Sequence, residues 1–142
     1  MKIKIKKLVE DANTPRYATD GSAGFDLTIV EHITLRSTQR GIAQTGLSFE
    51  IPKGYEMQIR PRSGLAAKYG ITVLNSPGTI DSDFRGEVCV ILYNSGLSTV
   101  SFPNGTRIAQ GVICKVDQAE FEEVEELSET DRGIGGFGST GV

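Results

Sequence analysis

Residues 88–93 read VCVILY, six apolar side chains in a row. A strand turns successive side chains to opposite faces, so this run is apolar on both. That pattern predicts a central strand covered on both sides, or one at a subunit contact. Just before it lies NSPGTIDSDFRGE, residues 75–87. This segment opens with the turn signal Pro77-Gly78 and then sets Asp81, Asp83, Arg85 and Glu87 at period two. If the segment is a strand, the four charges share one face. The plain account is a solvated face; the functional account is a carboxylate held to activate water. Just after the run, Val100 and Phe102 precede the turn Pro103-Asn104-Gly105, and RIAQGVICKV (107–116) predicts a late strand.

Farther out, strand signals continue. Ile3 and Ile5 alternate with Lys2, Lys4 and Lys6, and Phe25, Leu27 and Ile29 alternate in turn. Ile33 with Leu35, then Leu47, Phe49 and Ile51, extend the series. Pro52-Lys53-Gly54 is a turn, followed by Tyr55, Met57 and Ile59. Short strands with turn signals about every ten residues point to a β-sandwich, jelly roll or barrel. One short helix is expected over Leu65–Tyr69. The segment EFEEVEEL (120–127) is ambiguous, because Phe121, Val124 and Leu127 have helical spacing in a glutamate-rich run.

Composition narrows the function. The 142 residues suit one domain, and 38% apolar content is enough for a core at this size. A formal net charge of −3 argues against a nucleic-acid partner. Seventeen glycines imply many tight turns or backbone brought close to a ligand. The two cysteines, Cys89 and Cys114, sit in apolar runs and read as free thiols. With a single histidine, His32, and no CxxC pair, a zinc site is not expected. The basic N-terminus lacks an apolar h-region, and nothing approaches a membrane span, so the chain reads as soluble and intracellular with no membrane partner.

Three segments differ from ordinary turns. PRSGLA (61–66) sets Arg62, Ser63 and Gly64 before the expected helix, a combination able to cradle an oxyanion. The segment 75–87 is the second. The third is the tail: from Ser128 the chain loses its core formers, and RGIGGFGSTGV carries five glycines. Such a tail cannot fold alone. Its Arg132, Phe137, Ser139 and Thr140 nevertheless offer a cation, a stacking ring and hydroxyls, a set suited to a phosphate tail and a flat base. These residues predict a lid that orders on binding. Spacing alone does not bring the three segments together. From the residues themselves, the reading ends at a β domain able to bind a phosphorylated small molecule.

In these segments the sequence resembles the trimeric dUTPase family. Five motifs occur in order: AGFDL (23–27), PRSGLA (61–66), NSPGTIDSDFRGE (75–87), RIAQ (107–110) and DRGIGGFGSTG (131–141). The resemblance implies an all-β, jelly-roll-like β-barrel of β-clip type with one short helix. It implies a homotrimer whose C-terminal arm swaps to close a neighbour's site. On that basis residues 1–127 form the barrel domain and 128–142 the arm, and the acidic segment before the tail is extended. The implied reaction is hydrolysis of dUTP to dUMP and pyrophosphate, which keeps uracil out of DNA and supplies dUMP for thymidylate synthesis. The implied compartment is the cytoplasm or nucleus, or a host cell if the chain is viral.

The resemblance also assigns roles. Asp81 matches the carboxylate that orients and deprotonates the attacking water. Asn75 matches the base-reading residue on a hairpin that includes Gly78, Thr79 and Ile80, and Cys89 a returning-strand position that adds a backbone contact. A tight hairpin excludes the thymine methyl by shape and the cytosine amine by hydrogen-bond polarity. Phe84 matches an aromatic that packs on deoxyribose; the family usually has tyrosine there. Arg62, Ser63 and Gly64 match the phosphate loop, and Gln110 a residue near the phosphates and metal-bound water. Arg132, Gly138, Ser139 and Thr140 match γ-phosphate contacts, and Phe137 a cap on uracil. Asp26 reads equally as a supporting charge and as direct chemistry. Mg2+ is the implied cofactor, riding on the triphosphate with its waters, so no protein metal ligand is named. Two other readings stand beside this one: a dCTP deaminase-type enzyme on the same fold, and a non-catalytic trimeric protein-interaction module.

Overall fold

A computed structural model describes residues 1–141. In chain order the elements are β1 (Lys4–Lys7), β2 (Phe25–Thr28), β3 (Ile33–Leu35), β4 (Arg40–Gln44), β5 (Leu47–Glu50) and β6 (Tyr55–Pro61). There follow α1 (Ser63–Tyr69), β7 (Ile71–Val73), β8 (Gly78–Ile80), β9 (Cys89–Asn94), β10 (Val100–Phe102) and β11 (Arg107–Lys115). The expected all-β class with one short helix is present.

Period-two alternation explains most of these strands. In β2, Phe25 and Leu27 are buried while Asp26 and Thr28 are half-buried on the other face. In β6, Met57 and Ile59 point into the core. The VCVILY run becomes β9, flanked by β4 and β7 and so central in its sheet. Its Val90, Leu92 and Asn94 are buried, and Cys89, Ile91 and Tyr93 half-buried. Asn94 is fully buried and satisfied: its amide nitrogen donates to the Leu35 and Ser98 carbonyls, and its oxygen accepts from the Gly96 amide.

All strand pairs are antiparallel, in four sheets: β2-β11-β6-β8, β4-β9-β7, β1-β5 and β10-β3. The expected closed barrel differs here, because no hydrogen-bonded ring of strands closes among the described residues. The strands are short, and β8 pairs on one edge only, with β6. An edge left open in this way ends the four-stranded sheet.

Helix α1 starts at Arg62, whose backbone is extended, and stops at Gly70, which takes φ 69°. Glycine is suited to that left-handed position, and a Cβ there would stand 2.7 Å from the Gly96 nitrogen. Residues 120–127 form neither helix nor strand and are exposed. The tail forms turns, and the last residue of the anticipated arm, Val142, lies outside the described residues.

Candidate functional site

β8 and β9 face each other across a narrow slot of about 40 Å³, lined by Asn75, Gly78, Thr79, Ile80, Cys89 and Ile91 among others. The backbone explains why it is open. The Leu74 amide donates to the Ile91 carbonyl at 2.8 Å, extending the β7–β9 pairing by one residue before the chain turns away. Strand groups repeat with period two, so the Cys89 amide and carbonyl point to the same side as those of Ile91. There β7 has ended, and Cys89 faces the slot with backbone groups unclaimed by a ladder. Gly78 is buried in the opposite wall, and the Asn75 amide nitrogen lies 3.3 Å from where a Gly78 Cβ would stand. The Ser76–Pro77 peptide is cis. A flat ring entering this slot meets backbone donors and acceptors and a side-chain amide.

Thr79 also lines a second, open cleft of about 1090 Å³ that contains Asp81, Arg85, Lys2 and Lys4. Asp81 is exposed, and its carboxylate has no hydrogen bond or ion pair among the described residues. Residues 81–88 form a turn and loop, not a strand, so the four period-two charges do not share a face. The loop's own bonds show the cause. Arg85 turns back to donate to the Ser82 and Phe84 carbonyls at 2.7 and 3.0 Å. Glu87 accepts the Gly46 amide at 2.8 Å. Ser48 donates to the Arg85 carbonyl and Thr45 to the Val88 carbonyl, both at 2.6 Å. The Phe84 ring covers Gly86, where a Cβ would stand 2.6 Å from it. Asp81 therefore sits free on a loop that is tied elsewhere.

Arg62, Ser63 and Gly64, the residues expected to meet phosphate, form another group. Arg62 donates from Nε to Asp26 at 2.8 Å and from an Nη to the Arg107 carbonyl at 3.2 Å. The other Asp26 oxygen accepts from Arg107 at 3.1 Å. Arg62 and Asp26 side chains are each 24% exposed. Gln110 pairs with Asp26 on one side and Arg60 on the other, so it shares their row. The first amides of α1, at Ser63 and Gly64, have no partner within the helix. A Cβ on Gly64 would meet nothing within 4 Å, so the chain's own packing does not demand glycine there.

The tail residues Arg132, Phe137, Gly138, Ser139 and Thr140 are all exposed. Among the described residues the Arg132 side chain bonds only the nearby Gly135 carbonyl, at 2.9 Å. Asn75, Gly78, Thr79, Ile80, Asp81 and Cys89 thus come together, as do Asp26, Arg62 and Gln110 beside Ser63 and Gly64. The two groups do not meet. Asp26 on β2 is three strand spacings from β8, and its row is about four residues along β6 from Asp81. At about 4.8 Å per spacing and 3.3 Å per residue, roughly 20 Å separates them. Sequence reasoning singled out neither Arg107 nor the loop anchors Thr45 and Ser48. For Arg107 a signal existed, since it opens the RIAQ motif at 107–110.

Burial, and then Glu87 nearby, push the Cys89 thiol above its ordinary range, so it remains neutral in the slot. Among the described residues no group of three His, Cys, Asp or Glu side chains is arranged to hold a metal. Both Asp26 oxygens are taken by arginines, and the free Asp81 carboxylate is a single oxygen donor group. That donor set fits a hydrated Mg2+ carried in by phosphate oxygens better than a protein cage. No helix among the described residues is long and apolar enough to cross a membrane.

Known proteins resemble this chain along its length. The chain is 58% identical over 141 residues to the deoxyuridine 5'-triphosphate nucleotidohydrolase of Nautilia profundicola, covering 99% of each chain. It is 51% identical to that of Helicobacter pylori, over all of this chain and 98% of the relative. Among solved structures, the dUTPase of Staphylococcus bacteriophage 80alpha with dUPNHPP superposes with a TM-score of 0.93 at 26% identity, covering 99% of each chain. The sequence model of the dUTPase family matches residues 10–141, a span that holds the slot, the Asp26–Arg62 pair and the tail, and the chain belongs to that family.

Proposed function

We propose that the chain hydrolyses dUTP to dUMP and pyrophosphate, with uracil in the β8–β9 slot and Asp81 at its rim. The observation that carries this reading is the slot itself: unpaired backbone beside Asn75, with a free carboxylate immediately beyond Ile80. Asn75 and the backbone of Gly78, Thr79, Ile80 and Cys89 read the base. The narrow walls reject the thymine methyl, and the polarity rejects the cytosine amine. The Phe84 ring packs on deoxyribose and leaves no room for a 2′-hydroxyl.

Asp81 orients a water in line with the α-phosphorus and accepts its proton as the new P–O bond forms. The bond to the bridging oxygen breaks and pyrophosphate leaves. A carboxylate is a weak base, so positioning supplies much of its effect. It also contacts the sugar 3′-hydroxyl. Arg62, Ser63, Gly64 and Gln110 hold the phosphates. Mg2+, when bound to the triphosphate, neutralises charge there while keeping most of its water.

The roughly 20 Å between Asp26 and Asp81 supports a site assembled from more than one copy. A guanidinium held at Asp26 serves a different slot from the one beside its own Asp81. A homotrimer with shared sites meets this requirement. The arm, 128–142, closes a neighbour's site, with Phe137 over uracil and Arg132, Gly138, Ser139 and Thr140 on the γ-phosphate. Exposure of all these tail residues in the single chain supports that reading. The bacterial relatives support a cytoplasmic setting.

The test is pyrophosphate release from dUTP, dTTP, dCTP and UTP, each with Mg2+ and with chelator. Release from dUTP alone, lost with chelator, is the expected result. Ammonia released from dCTP would favour the deaminase reading, and a folded protein inactive on dUTP would end the hydrolase reading.

A further inference from the structure

We propose that Arg107 is a positioning residue for the phosphate loop, placed for that task by a β-bulge; the inference rests on the hydrolase reading above. The register of β11 against β2 slips between Arg107 and Ala109: Gln110 pairs with Asp26 and Ala109 with Leu27, yet Arg107 pairs with Thr28. One residue, Ile108, is extra. Ile108 and Ala109 are accordingly buried one after the other, at 1% and 0% exposure. Were β11 regular here, strict alternation from outward-facing Gln110 would turn Ile108 outward and Arg107 into the core. With the bulge, Ile108 enters the core and Arg107 reaches the outer face beside Asp26. Bulges re-aim side chains in this way and are enriched beside active sites.

What Arg107 does there follows from its bonds. Its side chain occupies one Asp26 oxygen, and its carbonyl takes an Nη of Arg62. Asp26 can then offer Arg62 only its other oxygen, at Nε. The Arg62 guanidinium is thereby held at two of its three nitrogens, Nε and one Nη. Of its five N–H donors, two are spent on the chain, and three remain for a bidentate phosphate contact. Two arginines share one carboxylate, so the cluster retains one positive charge beside the free amides of α1. Arg107, 60% exposed on its side chain, restrains Asp26 from the solvent side. Arg107 thus acts through Arg62.

The experiment compares wild type with Arg107→Ala, Arg107→Lys, Arg62→Ala and the double alanine variant. Each is assayed for kcat and KM on dUTP, and for binding of dUMP and of an α,β-imido dUTP analogue with Mg2+. Arg107→Ala should weaken analogue binding by about tenfold and dUMP by less than about twofold. Arg107→Lys, which can still pair with Asp26, should recover most of the loss. In the Arg62→Ala background the Arg107 change should add less than about twofold, because its effect passes through Arg62. A full tenfold loss in that background would overturn the proposal, since Arg107 would then bind phosphate independently. Equal losses for dUMP and analogue, with a lowered Tm, would also overturn it by reducing Arg107 to a structural role. A wild type that binds the analogue but releases no pyrophosphate from dUTP would fail the hydrolase reading, while the non-additive binding pattern would still support the relay.

Discussion

Two regions on opposite edges of the four-stranded sheet are built on opposite plans. At the β2 edge, Arg62 is half-buried, bonded to Asp26 and to the Arg107 carbonyl, and backed by a second arginine. At the β8 edge, Asp81 is exposed and its carboxylate is bonded to nothing, although the loop carrying it is tied down by Ser48, Thr45, Glu87 and Arg85. The contrast matches the two tasks proposed for these residues. A cation that recognises phosphate gains from being fixed in advance, because less freedom is lost on binding. A carboxylate that must accept a proton from water needs its oxygens free, and gains from fixing the backbone instead. One site holds the side chain, and the other holds the main chain beneath it.

The largest expected effect tests the free carboxylate. Asp81→Asn should lower dUTP turnover by about a thousandfold, leaving analogue binding within about threefold. Turnover that persists would remove Asp81 from the chemistry and with it the contrast between the two edges. Deleting residues 131–142 comes next. Turnover should fall by about a hundredfold while Tm and subunit count hold, because residues 131–141 contribute nothing to the core. Retained turnover would show that both edges work without a lid.

The smallest effects separate two glycines. At Gly111 a Cβ would stand 2.5 Å from the Phe25 ring, so Gly111→Ala should cost about 1–3 kcal/mol, read as a fall in Tm. At Gly64 a Cβ meets no atom of the chain, so Gly64→Ala should leave Tm nearly unchanged while weakening triphosphate analogue binding. If Gly64→Ala lowered Tm and spared binding, the space beside α1 would not belong to a ligand.

Much of this fold was legible because alternation was strong where burial was one-sided. Phe25-Leu27 and Met57-Ile59 each predicted a strand that forms, and VCVILY predicted a central one because it is apolar on both faces. β4, RGIAQ, was missed because glycine and polar residues dilute its pattern, and β7, ITV, was passed over although it alternates as ITL of β3 does. The charges from Asp81 to Glu87 mimicked a strand face, but Arg85 and Glu87 satisfy backbone groups of their own loop and of Gly46, which local spacing does not reveal. That Asp26 and Asp81 stand on opposite edges of one sheet depends on long-range pairing through β11 and β6, which the motifs do not reveal.

That separation gives the most direct test. Asp81→Asn and Arg62→Ala chains, each strongly impaired alone, are refolded together in equal amounts and assayed for dUTP turnover. If a site takes Arg62 and Asp81 from different copies, random mixing leaves about a quarter of sites with both groups intact, and about a quarter of wild-type turnover should return. Turnover no greater than that of the two parents would contradict the shared site and place Arg62 and Asp81 of one chain in the same reaction.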